Sequence, residues 1–127
     1  MKYLIDTQIL IWFYSEAKKI PLPIVNIIQN PENNLAVSVA SFWEIAIKSS
    51  LGKLKLPFDL PQMVEETLSN NIDILGIEVA HIFEVSNLPF HHSDPFDRII
   101  ISQAISENIS IISSDKEFDN YNVKRIW

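Results

Sequence analysis

The sequence predicts an α/β fold, a three-layer α/β/α sandwich around a mainly parallel central sheet. Short apolar runs of strand length alternate with longer runs of helical period along almost the whole chain. Parallel strands joined by crossover helices on both faces leave that pattern. A length of 127 residues with 47% hydrophobic content suits one compact domain with one core and argues against a disordered chain. No internal repeat, low-complexity tract or linker divides the sequence, so the expected domain is residues 1–127.

The first strand, KYLI, ends at Asp6, and TQILIWFY follows as a helix with Ile9, Leu10 and Phe13 on one side. PLPIVNIIQN is a second helix, stopped near Pro31, and LAVS is a second, buried strand. VASFWEIAIKSSL reads as a helix ended near Gly52. LPQMVEETLSNN is another, opened by Pro61 near its first turn. IDILGI is a strand, and VAHIFEVSNL a short helix that stops before Pro89. DPFDRIIISQAISEN is a strong helix, with Asp94 at the N-cap, Pro95 at the first helical position and Asp97 at the third. ISIIS is a strand, SDKEF a helical turn with a capping-box pattern from Ser114 to Glu117, and NVKRI a last strand.

Composition removes several classes of function. Glycine occurs only at Gly52 and Gly76, so the clustered glycines of a Walker loop or a dinucleotide fingerprint are missing. No nucleophile-elbow motif supports serine-type acyl transfer. The absence of cysteine excludes disulfides and thiolate metal sites and fits a reducing cytoplasm. The opening MKYLIDTQILIWFY is interrupted by Asp6 and Gln8, and no small-residue cleavage site follows, so no signal peptide is expected. No apolar run reaches bilayer-spanning length. A net charge of −6 argues against a bare, tight RNA-coating protein, which replaces phosphate counterions with Lys and Arg. It leaves room for an enzyme whose acids hold metal ions that then meet phosphate. The basic residues are local, with Lys48, Lys53 and Lys55 as the interior cluster.

Ligands of such sheets gather beyond the carboxyl ends of the strands, and acids fall at those ends. Asp6 closes the first strand, and Asp115 comes just after ISIIS. Asp97 opens the helix leading into that same strand, and Glu44 borders the apolar face of the helix after LAVS. Taken singly, most have an ordinary structural role. Asp6 and Asp94 suit helix starts, Glu44 and Lys48 form an i,i+4 pair of favourable order, and Asp115 sits in a first helical turn. Asp97 resists such an explanation. It shares its helix face with Ile100, Ile101, Ala104 and Ile105, and burying an unpaired carboxylate costs several kcal/mol. A helix start returns only roughly 1 kcal/mol at exposed sites. Arg98 follows immediately but points about 100° around the helix. The carboxylate must be protonated, paired with a base or turned toward a cation. A divalent ion shared with Asp6 meets that need, and clustered carboxylates otherwise repel and raise their own pKa values.

Oxygen-only ligands suit Mg²⁺ or Mn²⁺. Zinc is disfavoured, because cysteine is missing and His81, His91 and His92 lack a ligand spacing. An acidic magnesium site can lower the pKa of a bound water and steady a phosphodiester under in-line attack. The spacing does not choose between one ion and two. His91 and His92 could assist a leaving group, although a loop histidine is more often structural or exposed.

Four blocks, YLIDTQILIW, SVASFWEIAIKSSLGKLKL, LPFHHSDPFDRIIISQA and IISSDKEFDNY, together resemble the PIN-domain family, in particular its VapC-like toxin branch. The likeness covers nearly the whole chain in order. It implies an α/β/α sandwich and a Mg²⁺- or Mn²⁺-dependent ribonuclease. It also implies a toxin–antitoxin system in which a small partner protein blocks the site, and a homodimer. Matched position by position, Asp6, Glu44, Asp97 and Asp115 fall on the family's acids, and Asp94 on a recurrent acid of the branch. Ser113 or Ser114 could hydrogen-bond near the fourth acid, and Lys48, Lys53, Lys55 and Arg98 could guide RNA. Ser93 stands where the branch often carries arginine, which removes a positive charge beside the site. Trp12 and Trp43 are expected in the core, or at an antitoxin or subunit interface where exposed.

Two other classes compete. A phosphoacceptor receiver domain is also doubly wound with acids at strand ends. It needs an acidic pair after the first strand and a lysine after a late one, whereas Thr7 follows Asp6 and IISSD offers no lysine before Lys116. A PIN-like module that binds RNA or a partner without cutting is the other, and the retained acids argue against it.

Overall fold

The computed structural model describes residues 2–127. Its strands are β1 (Lys2–Ile5), β2 (Asn34–Ser38), β3 (Ile72–Leu75), β4 (Ser110–Ile112) and β5 (Arg125–Ile126). Its α-helices are α1 (Thr7–Ser15), α2 (Leu22–Gln29), α3 (Val39–Ser50), α4 (Leu60–Ser69), α5 (Val79–Ser86) and α6 (Pro95–Ser106). Short 3₁₀ turns lie at Ala17–Lys19 and Lys116–Asn120. All five strands are parallel, in the order β3-β2-β1-β4-β5. The chain therefore winds outward from β1 through β2 to β3, then returns to the other side of β1 for β4 and β5. The reversal falls between β1 and β4, where Leu4 lies opposite Ile111 and Ile5 opposite Ile112.

Successive strand residues point to opposite faces, and the core divides accordingly. Tyr3, Ile5, Leu35, Val37 and Ile112 join one cluster, with Ile9 and Leu10 of α1, Ile24 of α2, Ile45 of α3 and Met63 of α4. Leu4, Ala36 and Ile111 join the other, with Ile100, Ile101 and Ala104 of α6, and α5 packs on α6. The layers are thus helix, sheet and helix, the predicted sandwich.

The elements depart from expectation mainly at their ends. The third strand stops at Leu75, where its partner β2 ends at Ser38, and the Gly76 carbonyl beyond it accepts from Gln103 Nε2 at 3.1 Å. The last strand shrinks to two residues. Helix α3 closes on Gly52, whose φ of 70° is the left-handed conformation that glycine adopts at little cost. The Gly52 N–H donates to the Ser49 carbonyl and the Lys53 N–H to the Lys48 carbonyl, a Schellman closure. Asp115, rather than Ser114, caps the late 3₁₀ turn, accepting from the Glu117 N–H at 3.0 Å. Among the described residues no helix is long and apolar enough to cross a membrane.

Candidate functional site

Asp6 follows β1 directly. Its N–H donates to the Ile112 carbonyl at 3.1 Å, extending the β1–β4 ladder by one bond. Its carboxylate caps α1, accepting from the Ile9 N–H at 2.9 Å. The strand end and the helix start thus fix one acid at the switch point of the sheet. Only 7% of Asp6 is exposed. Burial pushes its pKa up to about 6, against the hydrogen bonds from the Ser113 hydroxyl and the Ile9 N–H, with the charges of Asp115 and Glu44 adding to the rise.

Glu44 reaches the same place from α3. A buried bond from the Thr7 hydroxyl to that of Ser41, 2.8 Å, ties α1 to α3 and sets their spacing. Glu44 is buried, and its Oε2 accepts from Lys48 Nζ at 2.8 Å, the expected i,i+4 pair. Its Oε1 is also buried and has no hydrogen-bond partner among the described residues. A lone carboxylate oxygen out of water is costly, so the ordinary salt bridge accounts for only half of this side chain.

Asp94 caps α6 as expected, its Oδ1 accepting from the N–H groups of Phe96 at 2.8 Å and Asp97 at 3.4 Å. Asp97 is half-buried, so it opens into a cleft rather than into the core. Its pKa is pushed up to about 7 by burial first and then by the charge of Asp94. Glu44 and Asp6 add to the rise, and only His92 opposes it. Asp115 stands beyond β4, with its N–H donating to the Ser113 hydroxyl at 3.0 Å.

These acids share one cleft of ≈ 250 Å³, lined by Asp6, Glu44, Asp94, Asp97 and Asp115, with Lys48 at its border. It sits beyond the carboxyl ends of β1 and β4, where the winding reverses, the position that open α/β sheets offer to ligands. A larger cavity of ≈ 500 Å³ lies between α6 and Tyr121–Lys124 and has no acid in its lining, so size alone does not mark the site. Asp6 and Asp97, far apart in sequence, face the same space.

Histidine 92 was not among the ligands that spacing pointed to, yet it stands in the site. Its Nε2 lies 2.8 Å from Asp115 Oδ2, and ligand atoms of His92, Asp97 and Asp115 fall within 4.8 Å of one another. A loop residue carries no periodicity. The only sequence signal was its position just before a capped helix that bears two acids.

Arg98 corrects an expectation. It is buried and so is not the solvated surface charge that its place on the helix suggested. Its guanidinium donates to the carbonyls of Pro89 (3.0 Å), Leu88 (3.2 Å), His92 (3.4 Å) and Val85 (3.4 Å). It also lies 3.9 Å from the centre of the Phe90 ring. Its work is to hold the 85–92 segment against α6. Trp43 is a second correction. It is 60% exposed, because it lies on the outer face of α3 with Val39, Ile47 and Leu51, all exposed. Trp12 is half-buried against the first core cluster. Lys53 and Lys55 are exposed, as is Ser93, which borders an adjoining cleft beside Asp94.

The PIN domain family model matches residues 3–124 of the sequence. No curated protein matches it. Among solved structures, a chain in the crystal structure of VapBC2 from Rickettsia felis, bound to a promoter DNA fragment, superimposes with a TM-score of 0.76 at 17% identity, over 99% of this chain and 98% of that one. A chain of VapBC-1 from nontypeable Haemophilus influenzae gives 0.68 at 22% identity, over 99% and 97%. A chain of a toxin–antitoxin complex from Klebsiella pneumoniae gives 0.67 at 20% identity, over 98% and 96%. At these identities the likeness is one of fold.

Proposed function

The chain belongs to the PIN domain family, and from that premise we propose that it is a metal-dependent endoribonuclease, the toxin of a toxin–antitoxin pair. One observation carries the reading: acids from four separate segments, Asp6, Glu44, Asp97 and Asp115, converge on one cleft at the sheet's switch point. Capping accounts for Asp6 and Asp115 singly but not for their meeting Glu44 and Asp97, which costs stability through burial and mutual repulsion.

The donors fit a hard divalent ion, Mg²⁺ or Mn²⁺. They are carboxylate oxygens, Glu44 Oε1 lacks a partner among the described residues, and Asp6 and Asp97 both hold protons more tightly than free carboxylates do. Asp6 and Asp97 would be the principal ligands, with Glu44 and Asp115 completing the set directly or through water. When bound, such an ion lowers the pKa of water and stabilises charge on a phosphodiester under in-line attack. The chain's own residues do the rest. Asp6 and Asp97 fix the site on two rigid element ends. Glu44 and Asp115 flank it within reach of a water to orient. Lys48, paired with Glu44 but 46% exposed, meets the phosphate side. From Lys48 a second cleft of ≈ 430 Å³ continues past Lys53 and the Lys19–Glu16 pair, and its lysines offer an RNA strand a local path across an acidic protein.

The toxin role draws support from the fold shared with a chain of a toxin–antitoxin complex. It also draws on the exposed stripe Val39, Trp43, Ile47 and Leu51 beside the cleft, an apolar face suited to an antitoxin or a second copy. We read residues 1–127 as one nuclease unit acting in the cytoplasm. The test is cleavage of single-stranded RNA with Mg²⁺ or Mn²⁺, wild type against Asp6→Asn and Asp97→Asn. Metal-dependent cutting by wild type alone supports the reading, and equal cutting by all three defeats it.

A further inference from the structure

We propose that His92 is a positioning residue of the acidic cleft, donating its Nε2–H to Asp115 in a tautomer fixed by Tyr121. The inference rests on the cleft being the functional site, and it goes beyond the acids themselves.

For a neutral imidazole the hydrogen bonds leave one consistent arrangement. The Tyr121 hydroxyl oxygen already accepts from the His91 backbone N–H at 3.1 Å. Its one proton is free to go to His92 Nδ1, 2.9 Å away. Nδ1 then accepts, so the ring proton of the neutral imidazole sits on Nε2. That proton points at Asp115 Oδ2, 2.8 Å away. The reverse tautomer would set the Nε2 lone pair against a carboxylate oxygen. It would also leave the buried Tyr121 hydroxyl proton without this acceptor. Donation therefore runs in one direction, from Tyr121 through His92 to Asp115.

The ring is held on every side. It stacks on Tyr121 at 5.5 Å and 28° and lies 4.9 Å from the buried Phe118 ring. Behind it, the His92 carbonyl accepts from Arg98. With Oδ1 accepting from the Glu117 N–H and Oδ2 from His92, both Asp115 oxygens are oriented by hydrogen bonds. Partners that orient a ligating carboxylate in this way commonly carry about 10–100-fold in metal affinity or activity.

The tautomer is read directly by long-range ¹⁵N–¹H NMR of the imidazoles in the metal-free protein, without any activity. The Nε2–H form is expected in wild type, and a mixture of tautomers in Tyr121→Phe. Calorimetric titration with Mg²⁺ then compares His92→Ala with His92→Gln, with melting temperatures measured alongside. The glutamine amide can offer an N–H where Nε2 stood. His92→Ala is expected to weaken Mg²⁺ binding by about 10–100-fold, with His92→Gln close to wild type. An unprotonated Nε2 in the metal-free wild type overturns the proposal. So does loss of the Nε2 proton on adding Mg²⁺, which would make His92 a ligand, and so do equal losses in the alanine and glutamine variants. If wild type binds no Mg²⁺, the metal reading of the cleft fails, while the NMR result still decides the role of His92.

Discussion

Asp119, at the corner before β5, and Asp97, in the first turn of α6, are the same side chain in opposite settings. Asp119 is exposed and grips Arg125 with both oxygens, at 2.9 and 3.0 Å. That bond holds its carboxyl below the usual carboxylate range. Asp97 is half-buried, has other acids around it, and is pushed up to about 7. Arg98 stands next to it in sequence but spends its donors on backbone carbonyls. A fold that needed only stability would treat Asp97 as it treats Asp119. The difference marks the cleft as a place where negative charge is concentrated without a protein counter-charge equal to it.

The strongest way to break this contrast is to remove the charges one at a time. Asp6→Asn or Asp97→Asn should abolish metal-dependent RNA cleavage, because each removes a principal ligand of the proposed ion. Asp119→Asn should leave the rate unchanged. In the metal-free state Asp97→Asn should also raise the melting temperature, since it deletes a repelled charge. A lowered melting temperature would show that Asp97 is satisfied within the protein.

Arg98 sharpens the contrast from the other side. Arg98→Lys keeps the charge but loses the planar fork of donors, and leaves buried carbonyls short of partners. It should destabilise by about 1–3 kcal/mol, read by urea denaturation, and loosen the segment carrying His92. No change in stability would mean that solvent supplies those carbonyls.

A smaller effect is the pH dependence of the metal-free protein. The folded-state pKa values of Asp6 and Asp97, about 6 and about 7, lie above their ordinary value. Between that ordinary value and about 7 the folded state binds more protons than the unfolded one, so stability falls as pH rises. Asp119 has the opposite sign: its contribution is present above its ordinary pKa and is lost as pH falls through the lowered folded value. The melting temperature of the metal-free protein should therefore drop between pH 5 and pH 8, and Asp97→Asn should flatten the drop. Added Mg²⁺ should restore stability at pH 8 and do much less at pH 5, where protons compete for the same oxygens. The smallest effect is that of Asp119→Ala, which removes an exposed two-bond pair with Arg125 and, with solvent screening, should lower the melting temperature only slightly.

Sequence reached the acids because each sits where local rules are strict. Asp6 ends an apolar strand, Asp94 and Pro95 mark a helix start, and Asp97 breaks the pattern of an otherwise apolar face. The parallel sheet was legible from alternation alone. Its last strand was legible within NVKRI but its length was not, because β5 pairs with β4 over two residues only. The sequence raised His92 only as a possible aid to a leaving group, and its partners escaped notice. Its partner Tyr121 lies 29 residues away and Asp115 lies 23 away, so nothing local announces either bond. Arg98 was misread because a lone charge on a helix usually signals surface, whereas here the carbonyls of an irregular segment give it a buried role. Trp43 was misread because aromatic residues usually favour the core, and the outer stripe of α3 shows only once the packing of α3 is known.

The most direct measurement is calorimetric titration of the metal-free protein with Mn²⁺ at pH 8, for wild type, Asp97→Asn and Asp119→Asn. The account predicts binding by wild type and Asp119→Asn and its loss in Asp97→Asn. Absence of binding in wild type, or equal binding by all three, would contradict it.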